Sequence, residues 1–567
     1  MEKPLIGKQS YKQLWFVVLI SFVFCLVLLC LDYSALPDAK NGVSFLVHSF
    51  ADALNTQKTN QLVPVDKTNE TIAPPPNFTS KTNETIAPPP NFTSSYINEA
   101  TQDIPALENN VTLSNAKREN KIQDVADQQS SDDRKGEDPC AGKYIYIHHL
   151  PSRFNTDVLK DCRTLVKWFN MCPSLMNSGL GPRVVRPQGV LSDRNWFETN
   201  QFLLEVLFHH RMKQYKCLTD DSSLASAIFV PFYAGLDIGR YLWGFNTSVR
   251  DSSAYDLVNW LGKKAEWKRM WGRDHFFVAG RIAWDFRRQT EIQSDWGSRL
   301  MSLPESMNMT MLSIESSSWS NEFAIPYPTY FHPSSDSDIT RWQRKMRSQR
   351  RRYLFSFAGA PRPGANDSIR GEIINQCLAS EEICKLLNCQ PGGNKCDSPV
   401  EVIKVFRDST FCLQPPGDSY SRRSTFDSIL AGCIPVFFHP YSAYAQYKWY
   451  FPKNYTKYSV YIPANEIKDG TVSIKEALSR FSKEQVLAMR KQVVKLIPKM
   501  IYADPRSRLE RLEDAFDIAV KRVLERVEKV RKDTKEGKDP SVDFAVGNRW
   551  KLKLSGIVGD HPLDQFF

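Results

Sequence analysis

Residues 411–439, FCLQPPGDSYSRRSTFDSILAGCIPVFFH, predict a strand, a loop, a helix and a second strand in succession. Phe411–Leu413 is a short apolar strand that ends at a Pro-Pro-Gly sequence. A polar loop then opens a helix from about Arg422, whose apolar residues recur at helical spacing, and Gly432 suits the end of that helix. Ile434–Phe438 is a continuous apolar run of the kind that forms a buried parallel strand. This order of elements is typical of an α/β fold.

An anion-binding site is predicted in the middle of this unit. A helix N-terminus carries free N–H groups and partial positive charge beside the carboxyl end of the preceding strand. Arg422 and Arg423 add two cations there, and Gly417 and Ser421 lie in the loop that approaches the anion. Asp427 follows one turn later on the side of Arg423, where its carboxylate can accept both hydroxyls of a ribose. Diphosphate and ribose together indicate a nucleotide; an ordinary surface ion pair is the alternative.

An apolar segment near the N-terminus is long enough to cross a membrane. Leu14–Leu31 has one polar residue in eighteen and exceeds the usual core of a cleaved signal peptide. The tail before it, residues 1–13, carries three lysines, and aspartates follow it. The positive-inside rule therefore leaves the tail in the cytosol and the rest of the chain in the lumen. We expect a single-pass signal-anchor; a cleaved signal peptide ending near Ala35 is the alternative.

Residues 32–138 have the composition of a stem. The sequence KTNETIAPPPNFTS, residues 67–80, recurs unchanged as residues 81–94. Because a repeat rich in Pro, Thr and Asn cannot bury a core, we expect a disordered, glycosylated spacer. Nine Asn-x-Ser/Thr sequons are candidate glycosylation sites: Asn69, Asn77, Asn83, Asn91, Asn110, Asn246, Asn308, Asn366 and Asn454.

Charge and cysteine content narrow the possible partners. The net charge of +11 is spread over 567 residues and gives only a weak argument for a polyanion, and lumenal placement excludes nucleic acid. Ten cysteines run from Cys140 to Cys433, an even number that permits disulfides without fixing their pairing. Cys384, Cys389 and Cys396 superficially resemble a zinc cluster, but they lack a C-x-x-C pair or a neighbouring His.

From residue 139 onward, apolar strand-like runs alternate with helical segments, which predicts parallel sheets. The expected strands include Tyr144–Ile147, Ala227–Tyr233, His275–Ala279 and Tyr353–Ala358. A charged helix begins near residue 340, with Ser335 or Asp336 as its cap, and a long final helix is expected from about Arg506 to Lys532.

The pattern therefore predicts two Rossmann-like α/β domains that face one another across a cleft. The first covers residues 139–340 and the second residues 341–535, and a tail over residues 536–567 follows. In such folds, ligands bind at the carboxyl ends of the strands.

Several longer motifs resemble the exostosin-type inverting glycosyltransferases. These motifs are GRDHFFV (272–278), FVPFY (229–233), RYLFSFAGAPRPG (352–364) with SIR (368–370), and the segment 411–440. Four others are similar to those of plant xyloglucan galactosyltransferases: YIYIHHLPSRFN (144–155), WDFRR (284–288), IPYPTYFHP (325–333) and YADPRS (502–507). The resemblance covers roughly residues 140–530.

This resemblance implies a GT-B fold, with an acceptor-side first domain and a nucleotide-sugar-binding second domain. It implies a type II protein of the Golgi membrane that transfers galactose from UDP-galactose to xylosyl side chains of xyloglucan in cell-wall synthesis. Association with other wall-synthesis glycosyltransferases is a further expectation. The ribose-binding acid is often Glu in the broader family, whereas Asp427 occupies the position here.

Inverting transfer requires a base that takes a proton from the acceptor hydroxyl. The base should follow a strand of the first domain, and Asp285, Asp237 and His149 meet this condition, with Asp285 first. Arg281 and Tyr233 are candidate donors to the acceptor or the sugar.

The charge that builds on the departing UDP should be balanced by the arginines and the helix N-terminus, so we expect neither a metal nor another cofactor. The only DxD-like triplet in the expected cleft, residues 336–338, precedes a helix and is interpreted as a cap, with metal binding as the alternative. His275 begins its strand and is interpreted as structural. Trp267, Trp271 and Trp284 could stack on sugars or belong to the core.

Two other functions stay open at this point. The same fold could use another donor, such as UDP-galacturonate, or another wall-polysaccharide acceptor; an arginine or lysine placed for the C6 carboxylate would favour that donor. The chain could also be a non-catalytic Golgi partner of an active relative, although the intact anion site in residues 411–439 argues against this.

Overall fold

Two five-stranded sheets, parallel throughout, form the framework of the protein. The structure is a computed structural model that describes residues 138–185, 189–317, 319–365, 368–389 and 394–538. The predicted cytosolic tail, signal-anchor, nearly all of the stem and most of the C-terminal tail lie outside these residues, as do the sequons at Asn69, Asn77, Asn83, Asn91, Asn110 and Asn366. Within the described ranges, no helix is both long and apolar enough to span a membrane.

The first sheet has its strands in sequential order. They are β1 (Tyr144–Ile147), β2 (Ala225–Phe229), β3 (His275–Ile282), β4 (Thr310–Glu315) and β5 (Glu322–Ala324). The central strand β3 is buried along almost its whole length, as a parallel strand covered on both faces should be. Strand β3 starts level with the end of β2, because Ile228 of β2 is opposite His275.

The second sheet has the order β10-β9-β8-β6-β7. Its strands are β6 (Tyr353–Gly359), β7 (Cys384–Asn388), β8 (Ser409–Gln414), β9 (Ile434–Phe437) and β10 (Val460–Tyr461). The chain reverses direction across this sheet between β6 and β8, so the sheet is doubly wound. Its topological switch point therefore lies between the carboxyl ends of these two strands.

Thirteen α-helices are labelled within the described residues. Those of the first half are α1 (Thr156–Lys160), α2 (Leu204–Met212), α3 (Ala234–Gly239), α4 (Thr247–Gly262) and α5 (Ala265–Met270). The remainder are α6 (Asp336–Ser348), α7 (Arg370–Leu378), α8 (Pro399–Arg407), α9 (Arg423–Leu430), α10 (Ala464–Lys468), α11 (Ile474–Ser479), α12 (Lys483–Leu496) and α13 (Ala515–Lys535).

The unit predicted from residues 411–439 is confirmed as β8, α9 and β9. Arg422 is the residue before the first turn of α9, and Gly432, with φ +65°, follows its end. A Cβ atom at Gly432 would approach the Arg351 guanidinium within 2.9 Å, so a side chain there would be both strained and crowded. The disulfide Cys412–Cys433 joins β8 to the turn before β9 and closes the unit around α9.

The predicted start of the last helix was wrong. Helix α13 begins at Ala515, capped by Asp514, and not near Arg506. The segment before it forms turns and bends, and the Asp336 carboxylate accepts backbone N–H groups of Glu510, Arg511 and Leu512 at 2.9–3.3 Å. These bonds satisfy the backbone of the segment without a helix.

Helix α13, which the prediction places in the second domain, contacts the first sheet. Arg531 of α13 donates to the carbonyl oxygen of Ala225 in β2, and Phe516 packs on Phe208 of α2 with ring centroids 4.7 Å apart. The last helix of the assigned range 341–535 therefore packs on the first sheet. At the other boundary, α6 starts before residue 340, and Ser335 is its N-cap, as predicted.

Disulfides hold the loops of both halves. The ten cysteines pair as Cys140–Cys217, Cys162–Cys172, Cys377–Cys384, Cys389–Cys396 and Cys412–Cys433. Cys384, Cys389 and Cys396 all lie in disulfides, so they offer no thiolates to zinc and the resemblance to a zinc cluster is only superficial. Among the predicted glycosylation sites within the described residues, Asn246 and Asn454 are exposed and Asn308 is half-buried.

Candidate active site

Three arginines meet at the switch point of the second sheet. Arg370, at the start of α7, donates to the carbonyl oxygen of Pro416 at 2.9 Å and to that of Ala360 at 3.4 Å. It therefore joins the segment after β6 to the loop after β8. Burial, followed by the nearby positive charges of Arg422 and Arg362, lowers the pKa of Arg370 to about 10. These three guanidinium groups lie near one another, with Arg362 also 3.1 Å from the Asp418 carboxylate, and are here called the arginine cluster.

The N-terminus of α9 lies beside this cluster. Arg422 makes no side-chain capping bond to the first turn; its Nη2 atom instead donates to the carbonyl oxygen of Ser419 at 3.2 Å. Gly417 is required for this arrangement, since a Cβ atom there would lie 1.7 Å from Arg422 Nη2. An uncapped helix N-terminus and three cations together are the features that bind a diphosphate.

Arg423 lies against different neighbours from Arg422. Its guanidinium stacks on the ring of Tyr330 at 3.5 Å, and Nη1 donates to the carbonyl oxygen of Thr199 at 2.5 Å. Both of these partners come from outside the second sheet. The structure therefore separates the two arginines that the sequence analysis placed together on the diphosphate.

Asp427 is buried beside Arg423. Its Oδ2 atom lies 3.4 Å from Arg423 Nε, whereas Oδ1 has no hydrogen-bond partner among the described residues. Burial raises the pKa of Asp427 to about 6, against the opposing effect of Arg423. A buried carboxylate oxygen without a donor is costly, which makes Oδ1 a ready acceptor for a ligand hydroxyl.

Unsatisfied polar atoms are concentrated in this unit. Within the described ranges, five buried atoms of residues 414–427 have no hydrogen-bond partner: Gln414 Nε2, Arg422 Nε, Arg423 Nε, Arg423 Nη2 and Asp427 Oδ1. Native proteins satisfy most buried polar atoms, so a local group of exceptions indicates a site that a polar ligand completes. This group coincides with the predicted donor site.

The first half contributes Asp285, which lies just beyond the carboxyl end of β3. Its Oδ2 atom accepts from Arg281 Nε at 2.5 Å, and its Oδ1 atom accepts from Trp296 Nε1 at 2.6 Å. The carboxylate is buried and both of its oxygens are engaged. The structure thus brings together two predicted site residues, Asp285 and Arg281, on the edge expected for the acceptor.

Glu315, the last residue of β4, was missed by the sequence analysis. Its Oε2 atom accepts from both the backbone N–H, at 2.7 Å, and the hydroxyl of Ser421 in the loop before α9. Burial, and then the negative charge of Glu315, raises the pKa of Tyr327. The charge of Arg422 lowers this pKa and that of Asp285 raises it, so all three charged groups lie near Tyr327. Glu315 therefore lies where the two sheets meet. The same rule that selected Asp285, a carboxylate at a strand's carboxyl end, would have found it had β4 been recognised.

Other hydrogen bonds near Glu315 join the half of the protein built on the first sheet to the half built on the second sheet. Tyr447 donates to the carbonyl oxygen of Ile314 at 2.7 Å, and Gln446 exchanges hydrogen bonds with Ser316 at 2.8–3.0 Å. The carboxyl end of β4 is thus fixed to the segment after β9. The candidate base and the arginine cluster consequently belong to two halves that are joined by hydrogen bonds.

The Exostosin GT47 domain matches this chain over residues 139–478, which include both sheets. The chain belongs to the exostosin GT47 family. It is a glycosyltransferase. It is 56% identical over 467 residues to a probable xyloglucan galactosyltransferase, GT12, of Arabidopsis thaliana, covering 81% of this chain and 91% of that protein. It is 55% identical over 435 residues to the xyloglucan galactosyltransferase MUR3 of the same plant, covering 76% of this chain and 70% of that protein.

A more distant relative carries a different name. The chain is 43% identical over 401 residues to a xyloglucan-specific galacturonosyltransferase of Arabidopsis thaliana, covering 70% of this chain and 59% of that protein. Family membership thus fits the predicted resemblance, and the higher identities are to relatives named galactosyltransferases.

Two of the predicted base candidates have other contacts in this GT47 protein. Asp237 is buried on α3 and forms an ion pair with Arg240. Burial raises the pKa of Asp237, partly offset by that arginine. His149 is exposed and lines a cavity of about 280 Å³ near the edge strand β1. Neither side chain has a contact with Ser421 or the arginine cluster in the described structure.

Tyr233 faces the interior. Its hydroxyl lies 2.8 Å from His209 Nδ1, and the side chain is almost fully buried. Burial raises its pKa well above the ordinary value. The position does not support the predicted contact with acceptor or sugar.

The interpretation of His275 as structural agrees with its position in the structure. Its Nδ1 atom lies 2.8 Å from the Asp274 carboxylate, and Nε2 lies 3.1 Å from His148 Nε2. Trp267 packs edge-on against His275 and belongs to the core, whereas Trp271 and Trp284 are exposed.

The DxD-like triplet is used structurally. Asp336 holds the segment before α13, as described above, and Asp338 accepts from the hydroxyl of Ser335 at 2.9 Å at the start of α6. In the part of the chain that the structure describes, no three His, Cys, Asp or Glu side chains gather in a way that could hold a metal ion. Metal independence remains a prediction.

Proposed function

We propose that this glycosyltransferase transfers galactose from UDP-galactose to xylosyl side chains of xyloglucan, with inversion at the anomeric carbon. The observation that carries the proposal is the arginine cluster at the switch point, beside the uncapped N-terminus of α9. It supports a diphosphate-linked donor. The galactosyltransferase relatives, at 55–56% identity, narrow the donor sugar and the acceptor.

The residues of the second half would bind the donor. Arg422, Arg370 and Arg362 would balance the charge of the diphosphate, and Ser421 would approach it from the loop before α9. Asp427 Oδ1, which is buried without a donor, would accept the ribose hydroxyls. The side chain of Arg423 would hold Asp427 in place instead of contacting the phosphates.

The first half would supply the base. Asp285 would take the proton from the acceptor hydroxyl while the hydroxyl oxygen bonds to C1 of galactose and the bond from C1 to the UDP oxygen breaks. The electron pair would leave with UDP, where the arginine cluster stabilises the negative charge. Arg281 and Trp296 orient the Asp285 carboxylate through its two oxygens. Glu315 is the second candidate, since both bonds that it accepts from Ser421 use Oε2 alone.

We also propose that the two sheets are the domains of a GT-B fold and that the protein is a type II protein of the Golgi membrane. Residues 1–13 would be cytosolic, residues 14–31 would span the membrane, and the catalytic part would be lumenal. Five disulfides support an oxidising compartment. Association with other wall-synthesis glycosyltransferases belongs to the same proposal.

A galacturonosyl donor is the second candidate, favoured by the relative at 43% identity. A C6 carboxylate needs a cation near the sugar. Arg281 is the cation beside Asp285, and it already forms an ion pair with the Asp285 carboxylate. Because this arginine is engaged, the site favours a neutral sugar over one with a C6 carboxylate.

The test is a donor and acceptor panel with the purified full chain. UDP-galactose and UDP-galacturonate would each be offered with a xylosylated oligosaccharide and with the unsubstituted glucan oligosaccharide as the matched control. We expect β-galactosyl product, by NMR, from UDP-galactose and the xylosylated acceptor only. Transfer from UDP-galacturonate alone would favour the second candidate. No transfer, with no heat of UDP binding by calorimetry, would contradict both.

A further inference from the structure

A row of three tryptophans leads from the protein surface to the candidate base. The row, here called the aromatic ribbon, consists of Trp168, Trp243 and Trp296. The ring centroids of Trp168 and Trp243 are 6.3 Å apart, and those of Trp243 and Trp296 are 5.4 Å apart. At the inner end, Trp296 Nε1 donates to Asp285 Oδ1 at 2.6 Å. Neighbouring rings meet edge to face, at interplanar angles of 70° and 75°, and the row ends at the Asp285 carboxylate.

The outer end is displayed by a fixed loop. Residues 162–172 form a loop closed by the disulfide Cys162–Cys172, and its Leu165 and Met171 side chains are buried in the core. Trp168, at the crest of the same loop, is 45% exposed. A disulfide and two apolar anchors thus hold Trp168 at the surface, where the Lys167 Nζ atom lies 4.8 Å from its ring centroid.

Exposure of this kind is unfavourable unless a ligand covers the rings. Trp296 is 36% exposed and Trp243 is half-buried, so the aromatic surface is accessible along its length. Single exposed apolar residues are common, but a contiguous exposed row is typical of a binding surface. The packing of the core does not account for the row.

We propose that the aromatic ribbon binds the glucan backbone of the acceptor outside the reacting side chain. The inference rests on the proposed function. The C–H faces of β-linked pyranose rings are apolar and slightly positive, and they stack on the negative faces of aromatic rings. The occupant is a neutral polysaccharide because the ribbon ends at the group that deprotonates a sugar hydroxyl. A surface for another protein would have no reason to end there.

The chain offers a matched control for the outer residue. Trp271 is 60% exposed and stands immediately before β3, at the opposite end of that strand from Asp285. Trp168→Ala and Trp271→Ala remove the same exposed side chain at the two edges of the sheet. Trp168→Tyr retains an aromatic ring at the ribbon. Thermal melting of all three proteins establishes that they fold.

Kinetics with the full chain test the proposal, with UDP-galactose and two acceptors, polymeric xyloglucan and a single xylosylated repeat. For Trp168→Ala we expect the KM for the polymer to rise about three- to tenfold, the worth of one aromatic contact, with kcat and the KM for UDP-galactose unchanged. The short acceptor should be unaffected, Trp168→Tyr should largely restore the KM, and Trp271→Ala should behave as the wild type.

Affinity electrophoresis in xyloglucan without donor separates this proposal from the proposed function. Weaker retardation of Trp168→Ala than of the wild type and Trp271→Ala would support the ribbon even if the wild type transferred no galactose. Wild-type transfer with an unchanged polymer KM in Trp168→Ala would overturn the ribbon and leave the proposed function intact. The proposal would likewise be overturned if Trp168→Ala raised the KM for both acceptors equally. It would also be overturned if Trp271→Ala raised the KM for the polymer as much as Trp168→Ala does.

Discussion

The two halves of the cleft are assembled in different ways. In the second half, one segment, residues 411–439, supplies the loop, the helix N-terminus, Arg422 and the buried Asp427. In the first half, the candidate groups come from the ends of separate strands, Asp285 after β3 and Glu315 in β4. A nucleotide site can be built on one strand–loop–helix unit because the helix backbone itself binds phosphate. The two first-half carboxylates, in contrast, are brought near one another only by the pairing of β3 with β4.

Two residues that are adjacent in sequence, Arg422 and Arg423, contact different halves of the protein. Arg422 faces the loop of its own sheet, whereas Arg423 stacks on Tyr330 and binds the backbone at Thr199. Because Arg422 is the residue before the first helical turn and Arg423 is the first residue of α9, their side chains leave the backbone in different directions. The comparison between the halves can therefore be tested one residue at a time.

Replacement of the first-half carboxylates should have the largest effect. We expect Asp285→Asn to lower kcat about 10²- to 10⁴-fold, the usual contribution of a general base, with little change in the KM for UDP-galactose. Glu315→Gln should mainly raise that KM, since its carboxylate holds Ser421 of the donor loop.

The control is Asp237→Asn, a buried carboxylate on α3 that is paired with Arg240. It should alter the melting temperature more than kcat. A loss of kcat in Glu315→Gln that exceeds the loss in Asp285→Asn would transfer the role of base to Glu315.

Replacement of Arg422 should affect catalysis, whereas replacement of Arg423 should affect stability. Arg422→Ala should lower kcat by about 10²- to 10³-fold, because a cation that meets charge developing on the leaving group acts in the transition state. Arg423→Ala should lower the free energy of unfolding by about 3–5 kcal/mol, since it leaves Asp427 buried without its partner.

Steady-state kinetics and denaturant unfolding of both variants measure the difference. Arg341→Ala, on the exposed face of α6, is the control for loss of one positive charge. A large fall in kcat for a stably folded Arg423→Ala protein would return Arg423 to the diphosphate, as the sequence first indicated.

Donor binding should depend on pH through Asp427. Burial raises the pKa of this carboxyl to about 6, and a ribose hydroxyl donates to the ionised form. The KM for UDP-galactose should therefore rise as the pH falls through 6, by up to about tenfold for each pH unit below it. The Asp427→Asn variant should have a raised KM that is flat over the same range. An unchanged wild-type KM between pH 7 and pH 5 would show that Asp427 does not bind the donor as a carboxylate.

The two halves also differ in how much of them could be predicted from the sequence. The strand–helix–strand unit and its glycine could be predicted because their signals lie within thirty consecutive residues. Arg362 and Arg370 lay in a motif that marked the family, yet no role could be assigned to them, because the reversal between β6 and β8 brings them to Arg422.

The acceptor side was less predictable for a related reason. Asp285 and Arg281 were found from their place after a strand, but Glu315 was missed with its strand β4. The contact of Tyr233 with the acceptor or the sugar stays a prediction. The irregular segment before α13 is held by the Asp336 carboxylate, a contact between residues 174–176 positions apart.

The smallest expected effect is that of a chelator. In the proposed mechanism, three guanidinium groups and a helix N-terminus of the second half balance the charge of the leaving UDP, as a divalent cation would. Activity in excess EDTA should therefore equal that of the untreated enzyme, with the same KM for UDP-galactose. An enzyme of the same purity, assayed with added Mn²⁺ or Mg²⁺, is the control and should be no faster. A tenfold fall in EDTA that Mn²⁺ restores would show that the arginine cluster does not balance the leaving charge alone, and that the two halves of the cleft share a metal-dependent step.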